Sequence, residues 1–124
     1  MLGGCGPKVE EVPREGVAAL GAVTITKYGC GTCHVIPGIP GAAGKVGPSL
    51  EGLAGRPELA GGVKHTPENL ARWIRAPRSV NPRAAMPTLG VSANEARDII
   101  AFLYEKSGGT PPPAAQATET PASP

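Results

Sequence analysis

An all-α domain of about three main helices, joined by long glycine- and proline-rich loops, is what this chain of 124 residues predicts. Three observations lead there. Three segments place apolar residues at helical spacing between recognisable start and stop signals. No alternation of strand-like and helical segments is present. Glycine and proline supply 18 and 15 residues, while Trp73, Phe102, Tyr28 and Tyr104 are the only aromatics, so this small domain lacks the side chains that usually provide buried area. Something else must fill the core, and small scaffolds in that position carry a disulfide, a metal or a prosthetic group.

Along the chain, residues 1–14 read as a start and a flexible tether, 15–107 as the domain and 108–124 as a tail. Met1-Leu2-Gly3-Gly4-Cys5 resembles the end of a lipoprotein signal, which would make Cys5 a lipidation site. The charged and apolar regions that should precede such a box are absent, so either the start codon is assigned late or Cys5 is a leftover thiol. The first helix spans about Glu15 to Tyr28, with Gly21, Ile25 and Tyr28 on one face and Gly29 ending it. Residues 29–63 are loop with one helical turn at a cysteine motif. The second helix runs from Pro67 to Ala76, capped by Thr66 and ended by Pro77, with Leu70, Trp73 and Ile74 as its apolar stripe. The third begins at Ser92, where Ser92 and Glu95 form a capping box, and carries Ile99, Ile100, Phe102 and Leu103. The tail holds five prolines and a single charge and should be disordered.

The chemistry lies in Cys30-Gly31-Thr32-Cys33-His34, a C-x-x-C-H motif that signals covalent attachment of one c-type haem. On one helical turn, residues i and i+3 share a face, so both thiols can bond the two vinyl groups along one haem edge while His34 reaches the iron. A redox dithiol would need a βαβ context. A zinc site would need two more soft ligands, and the other candidates are only Cys5 and His65. For the sixth iron position, Met86 is the available sulfur, in a loop bracketed by Pro82 and Pro87 that limits its conformations. His65 is the rival, in a polar turn where an exposed side chain is expected.

Four blocks in order make the chain resemble a class I cytochrome c over about residues 15–107. They are the haem motif, Gly47-Pro48-Ser49-Leu50-Glu51-Gly52-Leu53-Ala54-Gly55-Arg56, the stretch Trp73 to Pro77 with Met86 beyond it, and Ile99-Ile100-Ala101-Phe102-Leu103. The resemblance implies a fold wrapped around one covalent haem, with His34 and Met86 as metal ligands. It further implies that the Pro48 carbonyl accepts the second ring proton of His34, that Arg56 neutralises a haem propionate and that Trp73 packs beside the haem. Gly21 would let the first helix cross the last closely near Phe102. Ile25, Ala84 and the irregular segment 37–47 depart from the family's pattern.

The implied function is electron transfer rather than catalysis on a substrate. Donor and acceptor would be a quinol-oxidising complex and a haem-copper oxidase or photosynthetic reaction centre, the protein acting as a tethered shuttle or as a haem subunit of a larger complex. The alternative is a haem sensor or peroxidase-like enzyme with a dissociable Met86, which needs a distal acid-base group. A formal charge of +2 gives no argument for nucleic acid, and no small-molecule substrate is expected. Residues 56–83, however, hold Arg56, Lys64, Arg72, Arg75, Arg78 and Arg83 against Glu58 and Glu68, a basic window suited to steering toward an acidic partner. No apolar stretch approaches the ~20 residues that span a bilayer. The expected setting is periplasmic or extracytoplasmic, at the membrane through lipid on Cys5.

Overall fold

The computed structural model describes residues 14–108. Cys5, nearly all of the tether and residues 109–124 of the tail lie outside them. The described chain contains helices α1 (Ala18–Tyr28), α2 (Pro67–Arg75), α3 (Pro77–Val80) and α4 (Ala93–Lys106), with 3-10 turns at Cys30–Thr32, Leu53–Gly55 and Ala60–Gly62. Strand-like pairing among these residues is limited to two isolated bridges, Val35 with Ala43 and Glu58 with Lys64.

α1 starts three residues later than expected because the chain before it is bound to α4 instead of to itself. The amide of Arg14 donates to Asn94 Oδ1 at 3.1 Å, and the amide of Val17 donates to Asp98 Oδ1 at 2.8 Å. The Arg14 guanidinium meets both Asp98 carboxylate oxygens at 2.7 and 2.9 Å. α1 has no capping side chain of its own, so Asp98 serves as a cap delivered from another helix. The run Val23 to Thr26 is tolerated in part because Thr24 and Thr26 donate their hydroxyls to the carbonyls of Leu20 and Ala22. Gly29 then ends the helix at φ 72° with its amide turned back on Ile25 and Thr26.

α1 and α4 cross at Gly21. A Cβ there would overlap the Asp98 carbonyl and lie 2.8 Å from Phe102 Cβ, so only glycine allows the two backbones to meet. Ile25 packs at 1% exposure into a core formed with Ile36, Leu53, Leu70, Ile74, Val91, Ala96, Ile99, Ile100, Phe102 and Leu103. α4 carries the expected capping box, with Ser92 and Glu95 each bonding the other's backbone amide. α2 is capped as expected by Thr66, whose hydroxyl accepts from the Asn69 amide at 3.0 Å.

Two expectations are corrected. Pro77 does not simply stop α2: Ala76, pushed to φ −146° ahead of the proline, breaks the helix, and Pro77 opens the one-turn α3. His65 is not exposed. It retains 3% of its surface, with Nδ1 2.7 Å from the Arg56 carbonyl and Nε2 2.8 Å from the Tyr104 hydroxyl. A polar turn hides this because its partners come from a loop and a helix distant in sequence.

Candidate haem-binding site

The cysteine motif is positioned by what precedes it. Gly29 turns the end of α1 into the 3-10 turn Cys30–Thr32, and the Cys33 and His34 amides both close on the Cys30 carbonyl at 3.2 and 3.1 Å. That turn carries Cys30, Cys33 and His34 together. Both cysteines are half-buried free thiols. Burial pushes the Cys30 thiol above its ordinary value, against backbone hydrogen bonding that lowers it.

The following loop folds back under the motif. The Gly44 amide donates to Gly31 O at 3.1 Å, the Gly47 amide to Cys33 O at 2.7 Å and the Leu50 amide to Val35 O at 2.9 Å. Small residues permit it: a Cβ on Gly31 would lie 2.6 Å from the Ala42 Cβ, and one on Gly47 would lie 2.8 Å from His34 Nδ1. Gly31 is thus explained by loop packing. Ile36, absent from the sequence-derived core, is 2% exposed in this loop.

His34 Nδ1 lies 2.7 Å from Pro48 O. A carbonyl only accepts, so Nδ1 carries the proton and the neutral ring presents Nε2 as a lone pair. Arg56 belongs to the same loop, its Nη2 donating to Ser49 O and Glu51 O at 2.7 and 2.6 Å. Trp73 and Met86 come from elsewhere, α2 and the segment after α3, and both are half-buried. The Met86 loop is braced by more than its prolines. Asn81 accepts through Oδ1 from the Arg83 amide and through its carbonyl from the Ala84 amide, each at 2.9 Å, an Asx turn that the sequence signals at Asn81-Pro82.

Two free thiols on one turn, an imidazole with Nδ1 committed and Nε2 available, and a half-buried thioether form a donor set that fits a covalently held haem. The basic window of the sequence lies largely at the surface. Arg72, Arg75, Arg78 and Arg83 are exposed, and among the described residues none of them is ion-paired; the pairs are Arg14 with Asp98, Lys27 with Glu95 and Lys106 with Glu105.

No protein-family model matches the chain. Over 101 residues it is 33% identical to cytochrome c oxidase subunit 2 of Alkalihalophilus pseudofirmus, a match covering 81% of this chain and 28% of that protein. Over 113 residues it is 32% identical to cytochrome c2 of Agrobacterium tumefaciens, covering 78% of this chain and 98% of the relative. Among solved structures, cytochrome c2 from Rhodobacter sphaeroides superposes with a TM-score of 0.58 at 23% identity, over 79% of this chain and all of that one. Cytochrome cH from Methylobacterium extorquens does so at 0.57 and 24%, over 73% of this chain and all of that one. The chain spans little more than a quarter of the oxidase subunit but nearly the whole cytochrome c2. It belongs to the class I monohaem cytochromes c, carries one covalent c-type haem and serves haem-based electron transfer.

Proposed function

We propose that Cys30 and Cys33 would form the two thioether links, that His34 Nε2 and Met86 Sδ would hold the haem iron, and that the protein passes single electrons between a quinol-oxidising complex and a terminal oxidase or reaction centre. The observation that carries this is the 2.7 Å contact of His34 Nδ1 with Pro48 O, made on the turn that also holds both thiols. The haem supplies reversible one-electron exchange at its iron. The protein's part is to keep the geometry alike in both oxidation states. Pro48 fixes the His34 tautomer and ring plane, Gly47 leaves room for that ring, and the Asn81 turn braces the loop that leads to Met86. A thioether favours the reduced ion and places the potential at the high end. Trp73 would pack beside the haem and Arg56 would meet a propionate.

The exposed arginines of α2 and α3 suit docking to an acidic redox protein. The oxidase subunit relative supports a terminal oxidase as acceptor. No described helix is long and apolar enough to cross a membrane; separately, the lipobox-like start supports attachment to the extracytoplasmic membrane face through lipid at Cys5. A sensor or peroxidase-like role needs a free distal acid-base group, and His65 has both ring nitrogens committed. Met86→Ala tests the ligand set. It should abolish the weak far-red sulfur-to-iron band, lower the potential and let the reduced protein bind carbon monoxide. A wild-type protein that binds carbon monoxide readily at neutral pH contradicts the closed carrier.

A further inference from the structure

We propose that His65 and Tyr104 are positioning residues, a polar strut from α4 that holds Arg56 in place against the haem and thereby raises the reduction potential. This rests on the reading of Arg56 as the propionate partner. His65 is 3% exposed, and a buried imidazole is costly unless its polar atoms are bonded. Because Arg56 O only accepts, Nδ1 donates to it, and in the neutral ring Nε2 accepts from the Tyr104 hydroxyl. Burial, with the Glu68 carboxylate adding to it, pushes the Tyr104 phenol up to about 12, so it stays a donor. The path runs Tyr104 Oη, His65 ring, Arg56 carbonyl.

The strut acts on a segment pinned at neighbouring points. The His65 amide donates to Pro57 O at 2.9 Å, the Gly52 amide to Ser107 O at 2.5 Å and the Ala54 amide to Ser107 Oγ at 3.3 Å. At the far end of the same loop Pro48 holds His34, and the Arg56 side chain lies across Ser49 and Glu51. The backbone of Arg56 is therefore fixed from α4 while its guanidinium is fixed on the loop that orients the proximal ligand. Filling space alone does not require this arrangement, since a buried polar pair can often be replaced by apolar groups of similar shape at little cost. A fixed cation near the haem opposes the positive charge gained on oxidation, and its effect depends on distance.

The test uses the holoprotein, with Tyr104→Phe, His65→Leu and His65→Asn made in the native and Arg56→Leu backgrounds. Reduction potential is read by spectroelectrochemical titration, and amide exchange is read over residues 52–56. Tyr104→Phe and His65→Leu should lower the potential and speed exchange there at least tenfold, and His65→Asn, whose amide can donate to Arg56 O, should recover part of both. In the Arg56→Leu background the potential shift should vanish. Should His65→Leu fail to mature, Tyr104→Phe, which removes one hydroxyl, carries the test. An equal potential shift in both backgrounds, or faster exchange with no shift, overturns the strut. A lowered potential in Arg56→Leu but not in Tyr104→Phe overturns the strut alone. An unchanged potential in Arg56→Leu removes the propionate role of Arg56 and the proposal with it.

Discussion

Asp98 and Arg14, 84 residues apart, meet through two hydrogen bonds of 2.7 and 2.9 Å, with the Asp98 side chain 3% exposed. The Arg14 guanidinium, followed by the Val17 amide and the charge of Arg14, holds the Asp98 carboxyl below the usual carboxylate range against the opposing effect of burial. A carboxylate with a depressed folded-state pKa stabilises the protein fully above its unfolded value of about 3.9 and loses that contribution as pH falls through the folded value. Stability should therefore drop below about pH 4, and Asp98→Asn should remove that part of the acid sensitivity. Asp98→Ala should cost about 2 kcal/mol, from the loss of the charge-assisted bonds that the buried Asp98 makes to the solvent-exposed Arg14 and to the Val17 amide, measured by denaturant unfolding.

Gly21→Ala distinguishes a packing glycine from a flexible one. In an exposed helix interior this change stabilises by up to about 1 kcal/mol. Here the new Cβ would overlap the Asp98 carbonyl and press on Phe102, so a loss of about 3 kcal/mol is expected. A neutral or stabilising result contradicts the close crossing of α1 and α4.

Gly47→Ala acts on the proposed ligand itself. Gly47 does not have positive φ, so alanine brings no backbone penalty, only a methyl 2.8 Å from His34 Nδ1. The holoprotein should keep its helix content by circular dichroism while its low-spin spectrum and potential change. An unchanged spectrum and potential would remove Gly47 from the site.

Much of the fold was legible because its signals are local. Thr66, Ser92 with Glu95, and Gly29 stand where short-range hydrogen bonding ends a helix, and each does so in the structure. Gly21 and Pro48 were legible only through resemblance, since neither its crossing nor its ligand contact leaves a periodic trace. Asp98 and His65 were not legible: one reads as a polar position on a helix, the other as part of a polar turn. Their burial is decided by Arg14 and Tyr104, partners far away in the chain. Ile36 was lost in the same way, because a glycine- and proline-rich stretch gives no period from which an inward face could be read.

Cys5 tests the tether. Cys5→Ser should release the holoprotein into the soluble fraction with its visible spectrum unchanged, because residues 6–13 would form a leash up to Arg14, which is held on α4, reaching on the order of 15 Å by coil scaling. A native protein already soluble, with an unmodified thiol at Cys5, contradicts the anchor.

The central claim is that Cys30 and Cys33 bind the group that completes the core. The most direct measurement is the mass of the denatured protein, taken with its reduced-minus-oxidised visible spectrum, for wild type and for Cys30→Ala/Cys33→Ala. Wild type should retain the mass of one haem through denaturation and show a low-spin c-type spectrum, while the double variant should yield little folded protein. A wild-type chain that folds with helices intact, both thiols open to alkylation and no added mass, would contradict it.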